Sequence, residues 1–363
     1  MNIGFVAEPY ETENASGMGY VVLEFMRNLA GQHGAGDSLA VYSSRPVSRS
    51  VIGTATENRL LPRGFLKKLW YFWTLRGGVD VLIFMTPMLP LVMPRRIKAV
   101  MLCQELASQK IVPDSSEAFF SFVRDRVLMP LSLRRATHIV AASQATKDDI
   151  IKFYNVPPKK ITVIFDGFQD FTPVRARAER VPEDKKPFFF FTGKVKYRKN
   201  VHGIVSAFVR FKKKIPSDCK LIICGSYGGG YYEKMRRELE DSGLMQDVYF
   251  AGYVSIEQLC GFYEDALALV FPSFNEGFGM PIAEAMSLGT PVITSGVSST
   301  VEVAGDAALL VDPHSIDEIS LAMERIYTDA GLRKELAAKG KIQSQKFSWP
   351  RSGRQLLDLI HTL

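Results

Sequence analysis

The sequence predicts an α/β fold with two Rossmann-like domains, each built on a doubly wound parallel sheet. Short runs of β-branched and aromatic residues alternate with longer amphipathic segments along the whole chain, which is the pattern of βαβ units. The length of 363 residues suits two domains of roughly 150 residues each. Two such domains facing each other would leave a cleft at the carboxyl ends of their strands, where ligands bind in sheets of this kind.

Apolar runs predict the strands, and a polar segment predicts the domain boundary. Helical patterns such as GYVVLEFMRNLAGQ and IVSAFVRFKKKI separate the runs. The stretch from Thr172 to Pro187 is charged, contains three prolines and lacks periodicity. We therefore assign residues 1–172 to an N-terminal domain and residues 173–346 to a C-terminal domain. The runs that we interpret as buried strands are NIGFVA, VDVLIF, KAVMLC, THIVAAS, ITVIFDG, FFFFTG, KLIICG, VYFAGY, LALVFPS and PVITS.

Composition excludes several classes of protein. With 47% hydrophobic and 23% charged residues, the chain is globular rather than disordered. No run approaches the roughly 20 apolar residues that span a bilayer, and we interpret MNIGFVAEPY as a buried strand rather than a signal peptide. The net charge of +7 favours phosphates or an anionic membrane, whereas no nucleic-acid-binding motif is present. Four cysteines without CxxC spacing predict reduced core thiols in a cytosolic protein: Cys103, Cys219, Cys224 and Cys260.

Residues 267–295, LALVFPSFNEGFGMPIAEAMSLGTPVITS, contain the strongest functional signal. LALVF reads as a strand and PSFNEGFG as a loop. Pro281 suits a first helical turn, and Gly289 suits the position just past the helix end. The short helix between them would begin beside Gly277 and Gly279, whose backbones allow close approach of a ligand. Free N–H groups and the helix dipole make such a place an anion site.

Two carboxylates accompany this helix start. Glu276 lies in the loop, and we place Glu284 in the first turn of the helix. A carboxylate can accept hydrogen bonds from two sugar hydroxyls, which suits a ribose or a hexose. Alone, Glu284 could instead be a capping or dipole glutamate, and Glu276 an exposed loop charge. The combination of strand, glycine loop, Pro-started helix and Gly-Thr-Pro ending is more specific than either residue.

This combination resembles glycosyltransferase family 4, including its bacterial polysaccharide and lipopolysaccharide enzymes, with the glycosyltransferase B fold and a pair of glutamates. The resemblance implies that Glu276 contacts the donor sugar hydroxyls and Glu284 the ribose. It also implies that the backbone of Phe278, Gly279 and Met280 holds phosphate and sugar oxygens. The C-terminal segment 347–363 would cross back to the N-terminal domain. Further matching segments are Gly17 and Gly19, HIVAASQATKDDI at 138–150, FDG at 165–167, GKVKYRKN at 193–200, VYFAGYVS at 248–255 and FSW at 347–349.

A basic loop points to the same donor site. FFFFTG ends a strand, and Asn200 suits the N-cap of the next helix. Arg198 and Lys199 therefore stand just before a helix N-terminus, where a diphosphate would meet two cations and free N–H groups. A solvated basic loop is the alternative. The family places a phosphate-binding Arg-Lys pair here, and Gly193 would permit close approach of the donor.

The N-terminal half departs from the family pattern at one point. The run AVMLC is followed by Gln104 and Glu105, where family members commonly have a His-Asp pair. Gln104 can hydrogen-bond a sugar but cannot titrate as histidine does, and Glu105 could orient the acceptor or act as a base. Both could instead be polar strand-end residues without a catalytic task. In the family, the loop containing Gly17 and Gly19 lines the cleft opposite the donor.

The resemblance implies a retaining hexosyltransferase without an enzyme nucleophile, in which Arg198 and Lys199 stabilise the leaving diphosphate. No Asp-x-Asp motif or ligand-spaced histidine cluster is present, so we expect metal-independent catalysis and no cofactor besides the nucleotide sugar. The segment RKN at 198–200 resembles that of mannosyltransferases, so GDP-mannose or a related deoxyhexose donor is slightly favoured over UDP-sugars. The alternatives are a nucleotide-sugar epimerase or a phosphorylase on this fold, a catalytically silent sugar-nucleotide-binding protein, and an oxidoreductase, whose NAD fingerprint is incomplete.

Two basic and aromatic segments in the N-terminal half suggest where the acceptor is. They are PRGFLKKLWYFWTLR at 62–76, with Lys67, Lys68 and Arg76, and FFSFVRDRVLMPLSLRR at 119–135. Each could be a core-facing helix with solvated cations, or an interfacial helix on an anionic leaflet. We predict a cytoplasmic protein bound peripherally to the inner face of the cytoplasmic membrane, with a glycan or lipid-linked saccharide as acceptor.

Overall fold

The chain forms two compact units in a computed structural model. The first unit comprises Met1–Gly167 and Phe347–Leu363, and the second comprises Phe168–Lys346. The residues that the structure describes are 1–7, 17–34, 36–53, 56–62, 64, 67, 71–72, 78–85, 89–90, 93–106 and 124–363.

Parallel strands form the sheet of the first unit. The strands are β1 Asn2–Val6, β2 Ser38–Ser43, β3 Glu57–Leu60, β4 Val81–Phe84, β5 Lys98–Cys103, β6 His138–Ala141 and β7 Ile161–Val163. Their order in the sheet is β3-β2-β1-β4-β5-β6-β7. The strand order reverses beside β1, as in doubly wound sheets. The helices before the second unit are α1 Met18–Gln32, α2 Arg49–Ile52, α3 Met129–Arg135, which continues a π-helical turn Arg124–Leu128, and α4 Gln144–Tyr154.

The second unit has its own parallel sheet. The strands are β8 Phe188–Thr192, β9 Lys220–Cys224, β10 Val248–Gly252, β11 Ala268–Phe271, β12 Val292–Ser295 and β13 Leu309–Val311. Their order in the sheet is β10-β9-β8-β11-β12-β13. All four phenylalanines of Phe188–Phe191 in β8 are buried, because helices cover both faces of a central parallel strand. The helices are α5 Val201–Lys214, α6 Gly229–Ser242, α7 Ile256–Asp265, α8 Met280–Leu288, α9 Ser299–Ala304, α10 Ile316–Thr328 and α11 Ala330–Ser344.

The predicted fold class is confirmed: each unit is a Rossmann-like parallel sheet with helices. Every apolar run that we interpreted as a strand contains one. The structure adds β2, β3 and β13, which the sequence did not indicate. β3 and β13 are short edge strands with exposed positions, so they lack the continuous apolar run of a central strand.

The domain boundary lies after Gly167, earlier than the polar stretch from Thr172 to Pro187 indicated. That stretch belongs to the second unit because its charges are paired with α7. Arg175 and Arg180 lie 2.6 and 2.9 Å from the two carboxylate oxygens of Glu264. The polar composition that resembles a linker is therefore an ion-paired surface segment.

The C-terminal helix, α12 Trp349–Thr362, completes the first unit against α1. The Trp349 ring lies edge-on to Tyr20 and Phe25, with centroid distances of 5.9 and 5.4 Å. Gly167 passes directly beside it: a Cβ at Gly167 would lie 2.3 Å from the backbone nitrogen of Trp349. The packing of α12 against this segment therefore requires glycine at position 167.

The four cysteines are buried free thiols, and two of them end strands: Cys103 ends β5 and Cys224 ends β9. Burial raises the pKa of Cys103, Cys219 and Cys224 to about 12. None of the described helices has both the length and the apolar character needed to traverse a bilayer.

Gly167→Ala should lower the free energy of unfolding by about 1–3 kcal/mol, because the new methyl group would overpack the start of α12. The matched control is Gly31→Ala on α1, where a Cβ meets nothing within 4 Å. That change should be neutral or stabilising, since alanine favours a helix. Thermal unfolding of both variants measures the difference. Equal melting temperatures would contradict the packing described here.

Candidate functional site

Three neighbouring strands of the second unit end in glycines with positive φ. Gly193, Gly225 and Gly252 have φ values of 132°, 120° and 68°. The N–H of Gly193 donates to Cys224 O at 2.9 Å, and that of Gly225 donates to Gly252 O at 2.7 Å. A Cβ at Gly225 would lie 2.2 Å from Gly193 O. These glycines let the loops after β8, β9 and β10 run close together at the carboxyl edge of the sheet.

The basic pair and the first glutamate meet at this edge. Arg198 and Lys199 lie on a 3₁₀ turn immediately before α5. Arg198 Nη1 donates to Asn275 O at 2.7 Å and to Glu276 Oε2 at 2.9 Å. Lys199 Nζ lies 2.7 Å from Glu276 Oε1. The structure therefore brings together three of the residues that the sequence predicted for one donor site.

Glu276 is a buried carboxylate, only 6% exposed. Burial alone would raise its pKa, but the charges of Lys199 and Arg198 outweigh burial and hold the pKa below its ordinary value. The cluster thus has two cations and one anion. Oε1 of Glu276 pairs with the Lys199 ammonium, and a carboxylate oxygen can accept more than one hydrogen bond. It therefore keeps capacity to accept from a hydroxyl group.

Asn200 does not cap α5 with its side chain, contrary to our prediction. It precedes the helix in the left-handed conformation, with φ 54°, and makes no side-chain cap. Its Nδ2 instead donates to Pro272 O at 3.1 Å and to Pro313 O at 2.6 Å. The amide packs against Gly203 in the first turn of α5 but bonds to carbonyls outside the helix. Asn200 therefore ties the basic turn to the loops after β11 and β13.

Helix α8 begins and ends where the sequence predicted. Gly279, with φ 101°, precedes it, Pro281 lies in its first turn, and Gly289, with φ 81°, follows it. The backbone of Gly277, Phe278, Gly279 and Met280 forms the approach to its N-terminus.

Glu284 is the fifth residue of α8, so our placement in the first turn was wrong and a capping role is excluded. Its Oε2 accepts a 2.6 Å hydrogen bond from the Tyr263 hydroxyl of α7. Burial raises the pKa of Glu284, and the bond from Tyr263 partly opposes that rise. A half-buried acidic group held by a partner on another helix has a fixed orientation.

In the first unit, Gln104 is hydrogen-bonded at the carboxyl edge of the sheet. It follows β5, and its Nε2 donates to Asp166 Oδ1 at 3.1 Å. Its backbone carbonyl accepts from Thr146 Oγ1 at 3.1 Å. Asp166 is 2% exposed, and burial raises its pKa to about 7 against the opposing effect of the Gln104 bond. Glu105, the next residue, is partly exposed.

Sequence reasoning missed Asp166 as a member of this cluster. The available signal was its position just after the apolar run of β7, because the ends of neighbouring parallel strands meet at one edge. We used the segment FDG only as part of a family resemblance. Its pairing with Gln104 joins residues 62 positions apart, which no local pattern indicates.

The other predicted residues of the first unit are only partly placed. Gly17, with φ 60°, precedes α1, and Gly19 is a buried residue of that helix. The remainder of their loop, residues 8–16, lies outside the described residues, as do Lys68 and Arg76. Phe72, which we included in an interfacial segment, is 5% exposed and belongs to the core. Over the ranges that the structure describes, no three His, Cys, Asp or Glu side chains are grouped as a metal site.

Comparisons with known proteins account for most of the chain. Residues 15–169 match the family described as Glycosyltransferase Family 4, and residues 175–343 match Glycosyl transferases group 1. The chain belongs to glycosyltransferase family 4. This family 4 chain is 33% identical over 240 residues to O-antigen chain mannosyltransferase B of Escherichia coli, which covers 64% of the chain and 62% of the relative. It is 34% identical over 203 residues to O-antigen chain mannosyltransferase RfbU of Salmonella typhimurium, covering 55% of the chain and 53% of the relative. The matches thus span less than two thirds of these relatives.

Solved structures show the fold of the family 4 chain. Sucrose-phosphate synthase from Thermosynechococcus elongatus is similar with a TM-score of 0.77 at 19% identity, covering 99% of this chain and 98% of that one. Anabaena HepE in complex with UDP and glucose is similar with a TM-score of 0.75 at 16% identity, covering 99% of each chain. These likenesses identify the glycosyltransferase B fold.

Asp166→Asn should change the pH dependence of stability in the family 4 chain. The native carboxyl holds its proton up to a pH of about 7, whereas an unfolded aspartate loses it near ~4. Wild-type stability therefore falls as pH rises between these values, by about 2–3 kcal/mol from pH 5 to 8. Asparagine cannot ionise, so the variant should gain stability relative to wild type over that range.

Thermal unfolding at both pH values measures this difference. Asp148→Asn, at an exposed position of α4, controls for the loss of a negative charge. A pH-independent difference between Asp166→Asn and wild type would show that Asp166 is not protonated in the folded chain.

Proposed function

We propose that the protein is a retaining hexosyltransferase. It transfers mannose or a related sugar from a nucleotide sugar to a glycan or lipid-linked saccharide. The observation that supports this most directly is the meeting of Arg198, Lys199 and Glu276 beside the N-terminus of α8. Two cations and a helix start suit a diphosphate, and a buried carboxylate with spare acceptor capacity suits sugar hydroxyls.

In this proposal the donor diphosphate competes with Glu276 for the two cations. Arg198 and Lys199 then stabilise the charge that develops on the leaving phosphate, as preorganised donors do. Glu276 turns its acceptor capacity to the sugar, and Glu284, held by Tyr263, accepts from the ribose. The bond from C1 of the sugar to the phosphate oxygen breaks, the acceptor oxygen bonds to C1 on the same face, and the leaving phosphate takes the proton of the acceptor hydroxyl. Because attack and departure share one face, the sugar keeps its configuration without an enzyme nucleophile. Gly193 leaves room for the donor.

The relatives support mannose, since two of them are named mannosyltransferases. We favour a GDP-sugar slightly over a UDP-sugar. Because HepE was solved in complex with UDP and glucose, UDP-sugars are tested as well.

The experiment incubates the full chain with GDP-mannose, UDP-glucose or UDP-galactose, with and without methyl α-mannoside. Release of nucleoside diphosphate and NMR of the glycoside report turnover and configuration. Binding without turnover of any donor would favour a silent sugar-nucleotide-binding protein, which Gln104 in the place of histidine keeps under consideration.

We also propose that donor use requires no divalent metal, because side chains supply the cations for the diphosphate. The same assay with EDTA should give an unchanged rate. Loss of activity that magnesium or manganese restores would contradict this proposal.

Arg198→Ala and Lys199→Ala should each reduce kcat/KM for the donor about 10- to 150-fold. Each removes a charge-assisted hydrogen bond worth about 1.5–3 kcal/mol. Lys196→Ala is the matched control, because Lys196 is an exposed cation in the same loop. Unchanged donor kinetics in the first two variants would refute their assignment.

Glu284→Ala should weaken binding of free nucleoside diphosphate as well as of nucleotide sugar. Glu276→Ala should spare the free nucleotide, because it leaves two cations without their carboxylate partner. Calorimetric titration of each variant with GDP, UDP and the preferred sugar nucleotide separates the two roles. Similar losses for both kinds of ligand in both variants would mean that the roles are divided wrongly.

We further propose that the first unit binds the inner face of the cytoplasmic membrane. Val127 and Leu131 are 48% and 43% exposed, and Arg126 and Arg134 on the same helical segment are also exposed. Lys67 is exposed as well. Apolar side chains beside cations suit an interface with anionic lipids.

Vesicle co-sedimentation tests this surface. Wild type should bind phosphatidylglycerol vesicles at low salt and less at high salt, and should bind phosphatidylcholine weakly. Val127→Ser combined with Leu131→Ser should reduce binding severalfold. Ile342→Ser, at a position 68% exposed in the second unit, is the control. Wild type that stays in the supernatant with anionic vesicles would favour a soluble acceptor.

A further inference from the structure

Two serines after β12 hold the loop that precedes α8. Ser298 Oγ donates to Glu276 O at 2.8 Å and also lies 3.1 Å from Asn275 Oδ1. Ser299 Oγ lies 2.9 Å from Glu276 O and 3.0 Å from Phe278 O. Each hydroxyl has a single proton. Both carbonyls are therefore satisfied together when Ser298 donates to Glu276 O and Ser299 donates to Phe278 O.

This arrangement determines where two backbone N–H groups point. A trans peptide is planar, so its N–H points opposite to its C=O. The Glu276 carbonyl shares a peptide with the Gly277 N–H, and the Phe278 carbonyl shares one with the Gly279 N–H. Because both carbonyls face the serines, both glycine N–H groups face the other side of the loop.

Within the part of the chain that the structure describes, those N–H groups have no protein acceptor. Gly277 and Gly279 are buried, yet across the described ranges neither N–H donates to any backbone or side-chain atom. Buried N–H groups are almost always paired. Two that point the same way, just before a helix N-terminus, are paired most simply by an oxygen-rich anion.

Ser298 has a strained backbone conformation, which must be compensated by contacts that the residue makes. Its φ is 59° and its ψ is −153°, a region that is essentially reserved for glycine and costs about 1–3 kcal/mol for other residues. Glycine would relieve that strain but would lose the hydroxyl. The strained position is therefore consistent with a requirement for the hydroxyl itself.

We propose that Ser298 and Ser299 are positioning residues that aim the N–H groups of Gly277 and Gly279 at the donor diphosphate. The inference rests on the proposed function, since it requires that the site bind a nucleoside diphosphate. Neither hydroxyl contacts the ligand; each acts through the carbonyl that it holds.

Calorimetric titration with GDP and with UDP tests the inference in three variants. Ser298→Gly removes a hydroxyl and relieves strain. Ser299→Ala removes the second hydroxyl. Thr294→Val is the control, because Thr294 Oγ1 donates at 2.9 Å to Phe271 O on the neighbouring strand, outside the loop. It removes a buried hydroxyl bond of the same kind without touching Glu276 or Phe278.

Ser298→Gly and Ser299→Ala should each weaken binding of the better nucleotide about tenfold, because a misaimed N–H loses much of its bond to an anion. The melting temperature separates positioning from stability: Ser298→Gly should melt at or above the wild-type temperature while binding more weakly. Thr294→Val should lower the melting temperature and leave the dissociation constant within about twofold of wild type.

The outcomes distinguish failure of the positioning role of the two serines from failure of the proposed function. If wild type binds GDP or UDP and both serine variants bind as tightly as the control, the positioning role is overturned and the proposed function stands. If affinity falls only in proportion to melting temperature in all three variants, the serines are merely structural, and the inference is again overturned. If wild type binds neither nucleotide, the proposed function fails and the inference fails with it.

Discussion

The buried ion pairs of Glu276 are the interaction on which the site of the second unit depends. A carboxylate removed from water costs several kcal/mol unless cations and hydrogen bonds compensate for the lost hydration. Arg198 and Lys199 provide that compensation from a different loop. Backbone bonds strengthen the same connection, because Arg198 donates to Asn275 O and the Phe274 N–H donates to Arg198 O at 3.0 Å. The ionisation of one side chain therefore holds the basic turn against the loop before α8.

Around these charges, the second unit builds its site largely from backbone. Glycines at the ends of three strands remove the side chains that would separate the loops, and polar side chains then fasten those loops by their carbonyls. Asn200 does so at Pro272 and Pro313, and the serines after β12 do so at Glu276 and Phe278. A buried amide or hydroxyl must find a partner, so each of these side chains specifies one loop position. The positions of the backbone groups that would meet a ligand therefore depend on the side chains that hold these loops.

Local patterns predicted the parts of this structure that local physics determines. Buried parallel strands require continuous apolar runs, so β8 and β11 were evident. Pro281 and Gly289 mark the two ends of α8, because each suits only one kind of position.

Tertiary pairing was not predictable from local patterns. Asn200 has the composition of a cap, but two carbonyls distant in sequence compete for its amide. The charged stretch after Thr172 resembles a linker until Glu264 is placed beside it. Gln104 and Asp166 meet only because β5 and β7 end at one sheet edge.

The discontinuity of the first unit has a consequence for how the chain is made. Its sheet precedes the second unit in the chain, yet α12, which supplies Trp349 to pack beside Gly167, Tyr20 and Phe25, follows the second unit. Domains generally fold as units, in the order in which they leave the ribosome. Here the second unit has all of its residues before the first unit has its last helix. The first unit therefore completes its core only after the whole second unit has been synthesised.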